Sequence, residues 1–324
     1  MDRVARKMDR REVLKLGGGA ALAWAAGPLA RLGAVCAFEE KASEGEKGKR
    51  KKRILFYTRS QTFEHSAVKR KDKELGFAEK LLMDLGARHG FEVDATKDGR
   101  RFGEGKESLA RYDAFFFYTT GNPTLEGGDK EPPMPPEGKK ALLDLIESGK
   151  GFIGSHCAND TFHTQGDPFE TQDEEKRDPF VRMLGGEFIR HGPQQEAVQR
   201  VVSKGFPGCA DLGDSFALYE EWYSNKNFAP DIHVILVQET KGMKGSDYER
   251  PPYPATWARR QGKGRVFYTS MGHREDVWTN PKFQKLLLGG ISWVLGEVEA
   301  DLAANLKAAA PEASKMPPRP SPGK

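Results

Sequence analysis

Residues 151–163 read GFIGSHCANDTFH, and this stretch decides how the chain folds. A short apolar run bounded by glycines ends abruptly at Ser155-His156-Cys157. A buried strand that ends in polar side chains is typical of open α/β sheets, which bind ligands outside the carboxyl ends of their strands. On its own, one such strand is more simply explained by a histidine that is only hydrogen-bonded in the core.

A second segment ends in the same way. Residues 264–276 read GRVFYTSMGHRED, so another apolar run leads into Gly272 and His273. Because the carboxyl ends of parallel strands lie along one edge of a sheet, we expect the rings of His156 and His273 to meet in one crevice. The catalytic hypothesis depends on this expected convergence.

Strand-like and helix-like segments alternate in the first half of the chain. Runs of apolar or β-branched residues predict strands at 52–58, 91–95, 112–118 and 151–155. Apolar residues that recur at helical spacing predict helices at 66–87 and 137–148. Short connections between such elements predict a parallel sheet with helices on both faces.

The second half of the chain is less regular. It contains a predicted helix at 178–184, strands at 196–202, 216–222 and 232–238, a hairpin over 255–269 and a closing helix at 282–295. These strands predict an antiparallel addition to the sheet of the same domain. The Ala-, Pro- and Lys-rich composition of 301–324 predicts a flexible tail.

The first 37 residues have the features of a signal peptide for the twin-arginine export route. Arg10 and Arg11 precede a weakly hydrophobic, glycine-rich run over 16–30, and Ala37 ends a small-residue cleavage motif. The apolar run is too short for a transmembrane helix. We therefore expect a bacterial periplasmic protein that the twin-arginine machinery exports, with a charged linker over 38–52 and no stable membrane insertion after cleavage.

The charge of the mature chain does not indicate a polyanionic partner. The first 37 residues hold seven of the 51 Lys and Arg and three of the 47 Asp and Glu, so 44 of each remain. A balanced chain produces no global field for nucleic acid or anionic lipid, and we predict neither as a partner. Cys157 and Cys209 also remain, and they could pair in an oxidising compartment, although their spacing does not decide this.

Several segments, taken in order, resemble the ThuA-like (trehalose-utilisation) family. They are ILFYTRSQTFEHSAV at 54–68, GFIGSHCANDTF at 151–162, LGGEFIRH at 184–191, EEWY at 220–223, GKGRVFYTSMGH at 262–273 and a W-x-N-P motif at 278–281. Each motif is loose, but their order and spacing are specific. Members of that family are similar in fold to class I glutamine amidotransferases. The resemblance therefore implies a flavodoxin-like three-layer α/β sandwich over 53–300, with a mostly parallel sheet, and a role in carbohydrate metabolism.

The amidotransferase resemblance also implies an alternative activity. Those enzymes hold a cysteine nucleophile on a tight turn after one strand and activate it with a His-x-Glu motif after a later strand. His273 and Glu275 fit the His-x-Glu pattern, but His156 takes the place of the nucleophile and Cys157 follows one residue later. Because this offset turns the side chain in another direction, a hydrolase that uses Cys157, His273 and Glu275 remains only the enzymatic alternative.

The candidate catalytic residues are His156, His273 and Glu221. A neutral imidazole can act as a general base or as a metal ligand near physiological pH. Glu221 matches the acidic residue in the family's Asp/Glu-Glu-x-Tyr pattern, and we expect its aromatic neighbours to raise its pKa, as a general acid requires. The alternative for Glu221 is a strand residue that faces water.

A further group of residues is predicted to bind substrate. His65 follows the first strand and should open on to the same sheet edge, and His191 follows a glycine pair in a family motif; both could instead be exposed loop residues. Aromatic rings near loops could stack on sugar faces, and polar side chains could bond sugar hydroxyls. These are Trp222, Tyr223, Trp257, Trp278, Asn159 and Asp160. The alternatives are that the aromatic residues belong to the core and that Asp160 orients a histidine or caps a helix.

A divalent metal is the only cofactor that these residue types suggest. His65, His156 and His273 with a carboxylate suit such an ion, but no H-E-x-x-H spacing is present, so a metal site depends on convergence in space. The leading interpretation is an exported protein that acts on or binds a sugar or keto-sugar derivative. Besides the cysteine hydrolase, the alternative is a non-catalytic periplasmic sugar-binding or scaffold protein.

Overall fold

A mixed nine-stranded sheet with helices on both faces forms the fold. The computed structural model describes residues 50–320, so the predicted signal peptide over 1–37 and most of the linker lie outside the described residues. The strands are β1 Lys52–Tyr57, β2 Phe91–Thr96, β3 Ala114–Phe117, β4 Gly151–Ser155, β5 Glu187–His191, β6 Gln195–Val201, β7 Ser215–Glu220, β8 Tyr223–Lys226, β9 His233–Gln238, β10 Tyr253–Gln261 and β11 Gly264–Thr269. The helices are α1 Phe77–His89, α2 Lys106–Ala110, α3 Pro136–Glu147, α4 Pro179–Leu184, α5 Glu275–Trp278, α6 Pro281–Val294 and α7 Leu306–Ala309.

The strand order explains where a binding site should lie. The sheet runs β2-β1-β3-β4-β11-β10-β9-β6-β7, and neighbours among the first five strands pair in parallel. The remaining pairs are antiparallel, while β5 and β8 form a separate antiparallel ribbon. The parallel part has the flavodoxin order, in which ligands bind at the carboxyl edge near the first and third strands. The predicted α/β fold class, with its antiparallel addition, is confirmed.

Alternation along the strands divides the core into two layers. In β1, Ile54 and Phe56 belong to one apolar cluster, whereas Leu55 and Tyr57 belong to the other. Successive strand side chains point to opposite faces, so a strand buried on both sides needs this continuous apolar run. Helices α1 and α6 supply the first cluster, and α3 and α4 supply the second. This is the three-layer arrangement that the resemblance implied.

Two element predictions are wrong in their bounds. The helix predicted over 66–87 is a 3-10 turn, Ser66–Val68, followed by a charged loop and then α1, which begins after Gly76. The side chain of Glu79 accepts from the Gly76 N–H at 2.7 Å and fixes that start. The strand predicted over 216–222 stops at the end of β7, and the chain then changes direction into β8.

The end of the described chain is not the frayed tail that its composition predicts. Helix α7 lies against the domain, and Ala309, Ala310 and Ala313 are buried. Arg250 donates to the carbonyl of Ala313 at 2.7 Å, and Arg319 pairs with two acidic residues of the loop after β4. The small side chains that suggested disorder allow this close packing.

Within residues 50–320, the cysteines are unpaired and no membrane-spanning helix is found. Cys157 and Cys209 are buried free thiols, so the pairing left open by the sequence does not occur. No helix in this part of the chain is both long enough and apolar enough to span a bilayer.

Candidate functional site

Strand β4 places His156 on a constrained turn at the carboxyl edge of the sheet. Its φ of 46° lies in the left-handed region, which few residues other than glycine adopt. The ring is completely buried, and its Nδ1 donates to the carbonyl of Ser270 at 3.0 Å. This bond leaves the lone pair on Nε2, so backbone and tautomer together fix the reactive nitrogen.

Strand β11 brings His273 to the same point. Its Nδ1 lies 3.3 Å from Nε2 of His156 and 3.1 Å from a carboxylate oxygen of Glu221. The turn before it needs Gly272, whose φ is 120° and whose carbonyl accepts from Tyr118 and Trp278. The expected meeting of the two histidine rings is therefore observed.

Glu221 joins the cluster, but its electrostatics differ from the prediction. The carboxylate lies 3.5 Å from Nε2 of His156, in addition to its contact with His273. Burial acts to raise the pKa of Glu221, but the adjacent imidazoles of His156 and His273 outweigh it and hold the pKa well below its ordinary value. The predicted rise of this pKa is wrong, and Glu221 is an ionised carboxylate.

His65 completes the cluster from the loop after β1. It is buried, and its ring centroid lies 4.9 Å from that of His156 and 5.1 Å from that of His273. Burial and the two neighbouring histidines hold the pKa of His65 well below its ordinary value. Burial likewise lowers the pKa of His156, although Glu221 opposes it. These two imidazoles are therefore neutral, as metal ligands must be.

His191 lies at the open side of the cluster. Residues His191 and Tyr223 pair across the β5–β8 ribbon, and their rings stack with centroids 5.7 Å apart. His191 Nδ1 lies 3.4 Å from the second carboxylate oxygen of Glu221, and its side chain is 43% exposed. The same nitrogen donates to the carbonyl of Gly192 at 3.0 Å, so the ribbon places a partly exposed imidazole beside Glu221.

The four inner residues fit a divalent metal. One ligand atom from each of His65, His156, Glu221 and His273 lies within 4.8 Å of all the others. A tetrahedral zinc site with bonds of about 2.0–2.1 Å has edges of about 3.3–3.4 Å, and the three measured separations are 3.1, 3.3 and 3.5 Å. Nδ1 of His65 is also buried without a hydrogen-bond partner among the described residues. The donor types, their spacing and the neutral rings of His65 and His156 match an imidazole-and-carboxylate site. Glu221 raises the pKa of His273 against the effect of burial, so this ring would release a proton when it binds an ion.

Comparison with known protein families identifies the family of this chain. The family model "ThuA: Trehalose utilisation" matches residues 53–294. The chain belongs to the ThuA family. Membership of this family indicates a role related to carbohydrate utilisation. No curated protein sequence matches the chain.

Solved structures similar to this ThuA-family chain include putative ThuA-like proteins of two bacteria, Bacteroides uniformis and Parabacteroides merdae. That of Bacteroides uniformis is 20% identical with a TM-score of 0.52, over 78% of this chain and 94% of its own. That of Parabacteroides merdae is 17% identical with a TM-score of 0.49, over 83% of this chain and all of its own. The first of these supports the fold.

The predicted sugar-stacking role is wrong for the aromatic residues of this ThuA-family chain. Trp222, Trp257 and Trp278 are completely buried, and each indole N–H donates to a backbone carbonyl, at 3.0, 2.8 and 2.7 Å. Tyr223 is also buried, and its ring packs 4.1 Å from that of His156, behind the cluster. The core alternative therefore describes these rings.

Asn159 and Asp160, which were predicted to bond sugar hydroxyls, instead contact other side chains of the protein. Asn159 is buried and donates to Asn225 at 2.8 Å, which removes it from any substrate surface. Asp160 bonds Nε2 of His163 at 2.6 Å, and the other ring nitrogen of His163 lies 3.2 Å from Glu187. Asp160 thus orients a histidine, but one outside the cluster.

The geometry contradicts the alternative hydrolase with a cysteine nucleophile. Cys157 is completely buried, and burial raises its thiol pKa well above the ordinary value, which suppresses the reactive thiolate. Glu221 is the carboxylate that bonds His273, whereas Glu275 begins helix α5. His156 takes the position on the turn that a nucleophile would need.

Three residues around the cluster were missed from sequence. The carboxylate of Glu220 is completely buried and accepts backbone N–H groups from Glu221, Gly272 and His273. Burial raises its pKa to about 7, against the effect of these bonds. Gln194 contacts the His273 ring, and Phe63 lies beside His65. The paired carboxylates of the EEWY motif were a usable signal for Glu220; no sequence pattern marks the other two.

Proposed function

We propose that this ThuA-family chain is an exported protein that acts on a sugar or keto-sugar derivative at a divalent metal centre. His65, His156, His273 and Glu221 are the proposed ligands. The observation that carries the proposal is the convergence of their four ligand atoms within 4.8 Å, from loops after strands β1, β4, β7 and β11. Three histidines and a carboxylate in a mostly buried cluster have no better explanation as core residues, because burying such groups is costly.

The chemistry of the site is proton transfer next to a polarised oxygen. A divalent ion bound there would act as a Lewis acid on a carbonyl or hydroxyl oxygen of the sugar. The Glu221 oxygen that faces His191 is then free to take a proton from the substrate. Glu221, whose side chain is 12% exposed beside His191, can then release that proton to water.

Phe63, an exposed residue beside the cluster, supports sugar recognition in place of the buried tryptophans. Phe63 is 62% exposed, and its ring centroid lies 4.9 Å from that of His65 in an edge arrangement. Thr120 holds the loop by donating to the Phe63 carbonyl at 3.0 Å. An exposed aromatic face beside the cluster offers an apolar surface to a sugar ring.

A cavity adjoins the same loops. It measures about 350 Å³ and is lined by Gln61, Thr62, Gly121, Asn122, Lys139, Phe162, His163, Gln165 and Asp178. Thr62 lines the cavity and immediately precedes Phe63, so the cavity adjoins the loop that carries the proposed stacking residue. Amide and charged groups around one aromatic ring are suited to hydroxyl-rich ligands.

Metal analysis of the purified protein tests the proposal. We expect about one zinc or other divalent ion per chain, lost in His156→Ala and His273→Ala but retained in His89→Ala, a histidine at the end of α1. Metal-loaded wild type should also turn over at least one member of a panel of keto-sugars and disaccharides. Saturable binding without turnover would favour the sugar-binding alternative. Absence of both metal and sugar binding would overturn the proposal.

Export is a separate part of the proposal and rests on Arg10 and Arg11. Changing both to lysine should leave the precursor inside a bacterial host, whereas the wild-type chain should be cleaved after Ala37 and recovered from the periplasm. Mass spectrometry of the N-terminus in each fraction measures this. Equal export of both forms would exclude the twin-arginine route.

A further inference from the structure

Gln194 and Arg274 form a series of hydrogen bonds behind His273. The side-chain nitrogen of Gln194 lies 2.9 Å from Nε2 of His273. The oxygen of the same amide accepts from Arg274 Nη1, also at 2.9 Å. Arg274 is itself held by two bonds to Asp276, at 2.9 and 3.1 Å.

This series of hydrogen bonds determines where the ring hydrogen of His273 lies. Arg274 has only donors, so it selects the oxygen of the Gln194 amide and directs the NH2 group towards His273. Nε2 must therefore accept, and the hydrogen of the neutral ring is on Nδ1. That hydrogen points to the carboxylate of Glu221, 3.1 Å away.

A metal ion needs the opposite tautomer. The ring atom of His273 that faces the other ligands is Nδ1, which must carry a lone pair to bind an ion. The hydrogen of a neutral ring then moves to Nε2, where it would meet the NH2 group of Gln194 head-on. The amide has to turn its oxygen to His273, and its NH2 group then faces Arg274.

We infer that Gln194 is a positioning residue that opposes metal loading at His273 in the observed arrangement and supports it after its amide turns over. This inference rests on the metal centre proposed above and adds a means of tuning its affinity. Arg274 can give up the amide because Asp276 retains it. A ligand histidine normally donates its second N–H to a carboxylate or carbonyl, and such partners typically change metal affinity by 10- to 100-fold.

Substitutions at both positions test the inference through zinc affinity. Gln194→Glu presents an acceptor to His273 in either orientation and should tighten zinc binding about tenfold. Arg274→Met frees the amide to turn and should also tighten it. Gln194→Leu removes the acceptor and should weaken binding about 10- to 100-fold. Gln195→Glu, at a neighbour bonded to the Lys244 segment rather than to His273, is the matched control.

Competition with a chromophoric chelator gives each zinc affinity, and circular dichroism checks that every variant is folded. A merely structural role predicts weaker binding in all variants. Tighter binding in both Gln194→Glu and Arg274→Met is the expected result, and weaker or unchanged binding in both overturns the inference. Long-range 1H–15N spectra add an independent readout: the His273 hydrogen should be on Nδ1 in the metal-free chain and on Nε2 with zinc. If wild-type chain binds no zinc, the proposed metal centre itself fails.

Discussion

At the residue scale, environment rather than residue type assigns each role. Two adjacent carboxylates illustrate this, because burial raises the pKa of Glu220 to about 7 against its bonds from backbone N–H groups, whereas Glu221 faces two imidazoles and has a lowered pKa. Sequence reasoning chose Glu221 correctly as the cluster residue, but it assumed that aromatic neighbours would control the pKa. The adjacent imidazoles of His156 and His273 have the larger effect, and their positions depend on a convergence that no local pattern contains.

The aromatic residues provide a prediction at this scale. Trp222→Ala should lower the free energy of unfolding by about 3–5 kcal/mol, because it leaves a cavity in the core. Phe63→Ala should change stability by only about 0.5 kcal/mol, as is usual for an exposed side chain, while weakening sugar binding. Urea titration and calorimetric binding to a panel sugar measure the two effects. Met83→Ala, at an exposed residue of helix α1, should change neither.

Equal loss of sugar affinity in Phe63→Ala and Met83→Ala would contradict the proposed stacking surface. Retained stability in Trp222→Ala would contradict the core assignment of that ring. The two outcomes are independent, since one concerns a surface beside the cluster and the other concerns the core.

At the element scale, the parallel strands could be predicted and the ribbon could not. Strands such as β3 and β4 are short, largely apolar runs, so local sequence determines them. Strands β5 and β8 contain polar residues and pair only with each other, so their structure depends on the cross-strand partner. The start of α1 was missed because a charged loop continued the helical spacing of Val68.

Glu220 links two elements of the site and provides the second prediction. Its carboxylate holds the turn after β7 to the turn after β11, at 2.8, 2.9 and 3.2 Å. Glu220→Gln replaces one acceptor oxygen by an NH2 group that faces N–H donors, which should cost about 1–3 kcal/mol. It should also weaken metal binding, because Glu221 and His273 both lie on these turns.

Urea unfolding with and without zinc measures both effects of Glu220→Gln. Glu275→Gln, a change of the same chemistry at the start of α5, is the control. An unchanged zinc affinity in a destabilised Glu220→Gln protein would show that Glu220 supports the fold and does not position the ligands.

His163 links the turn after β4 to β5 and predicts how stability depends on pH. Burial acts to lower the pKa of His163, but bonds to Asp160 and Glu187 raise it to about 9, above the ordinary 6.5. The protonated ring therefore stabilises the fold fully below about pH 6.5, and this contribution is lost as the pH rises through 9. His163→Gln should flatten that part of the stability profile.

Unfolding by urea at pH 6, 7.5 and 9, with a chelator present, isolates this effect from metal binding. The wild-type chain should lose stability across the series relative to His163→Gln. Parallel profiles for the two proteins would show that the His163 pair contributes nothing to the pH dependence.

At the scale of the whole molecule, the proposed metal would connect four parts of the chain that are distant in sequence. His65, His156, Glu221 and His273 follow different strands, so an unfolded chain cannot present them together. A ligand that binds only the folded state stabilises it by about 2.7 kcal/mol at 100 times its dissociation constant. We therefore expect the melting temperature to rise with zinc concentration and to fall on addition of a chelator. Calorimetry across a zinc series measures this, with His273→Ala as the variant that should not respond. A wild-type melting temperature that is independent of zinc would contradict the metal centre, because no binding to the folded state can occur without this shift.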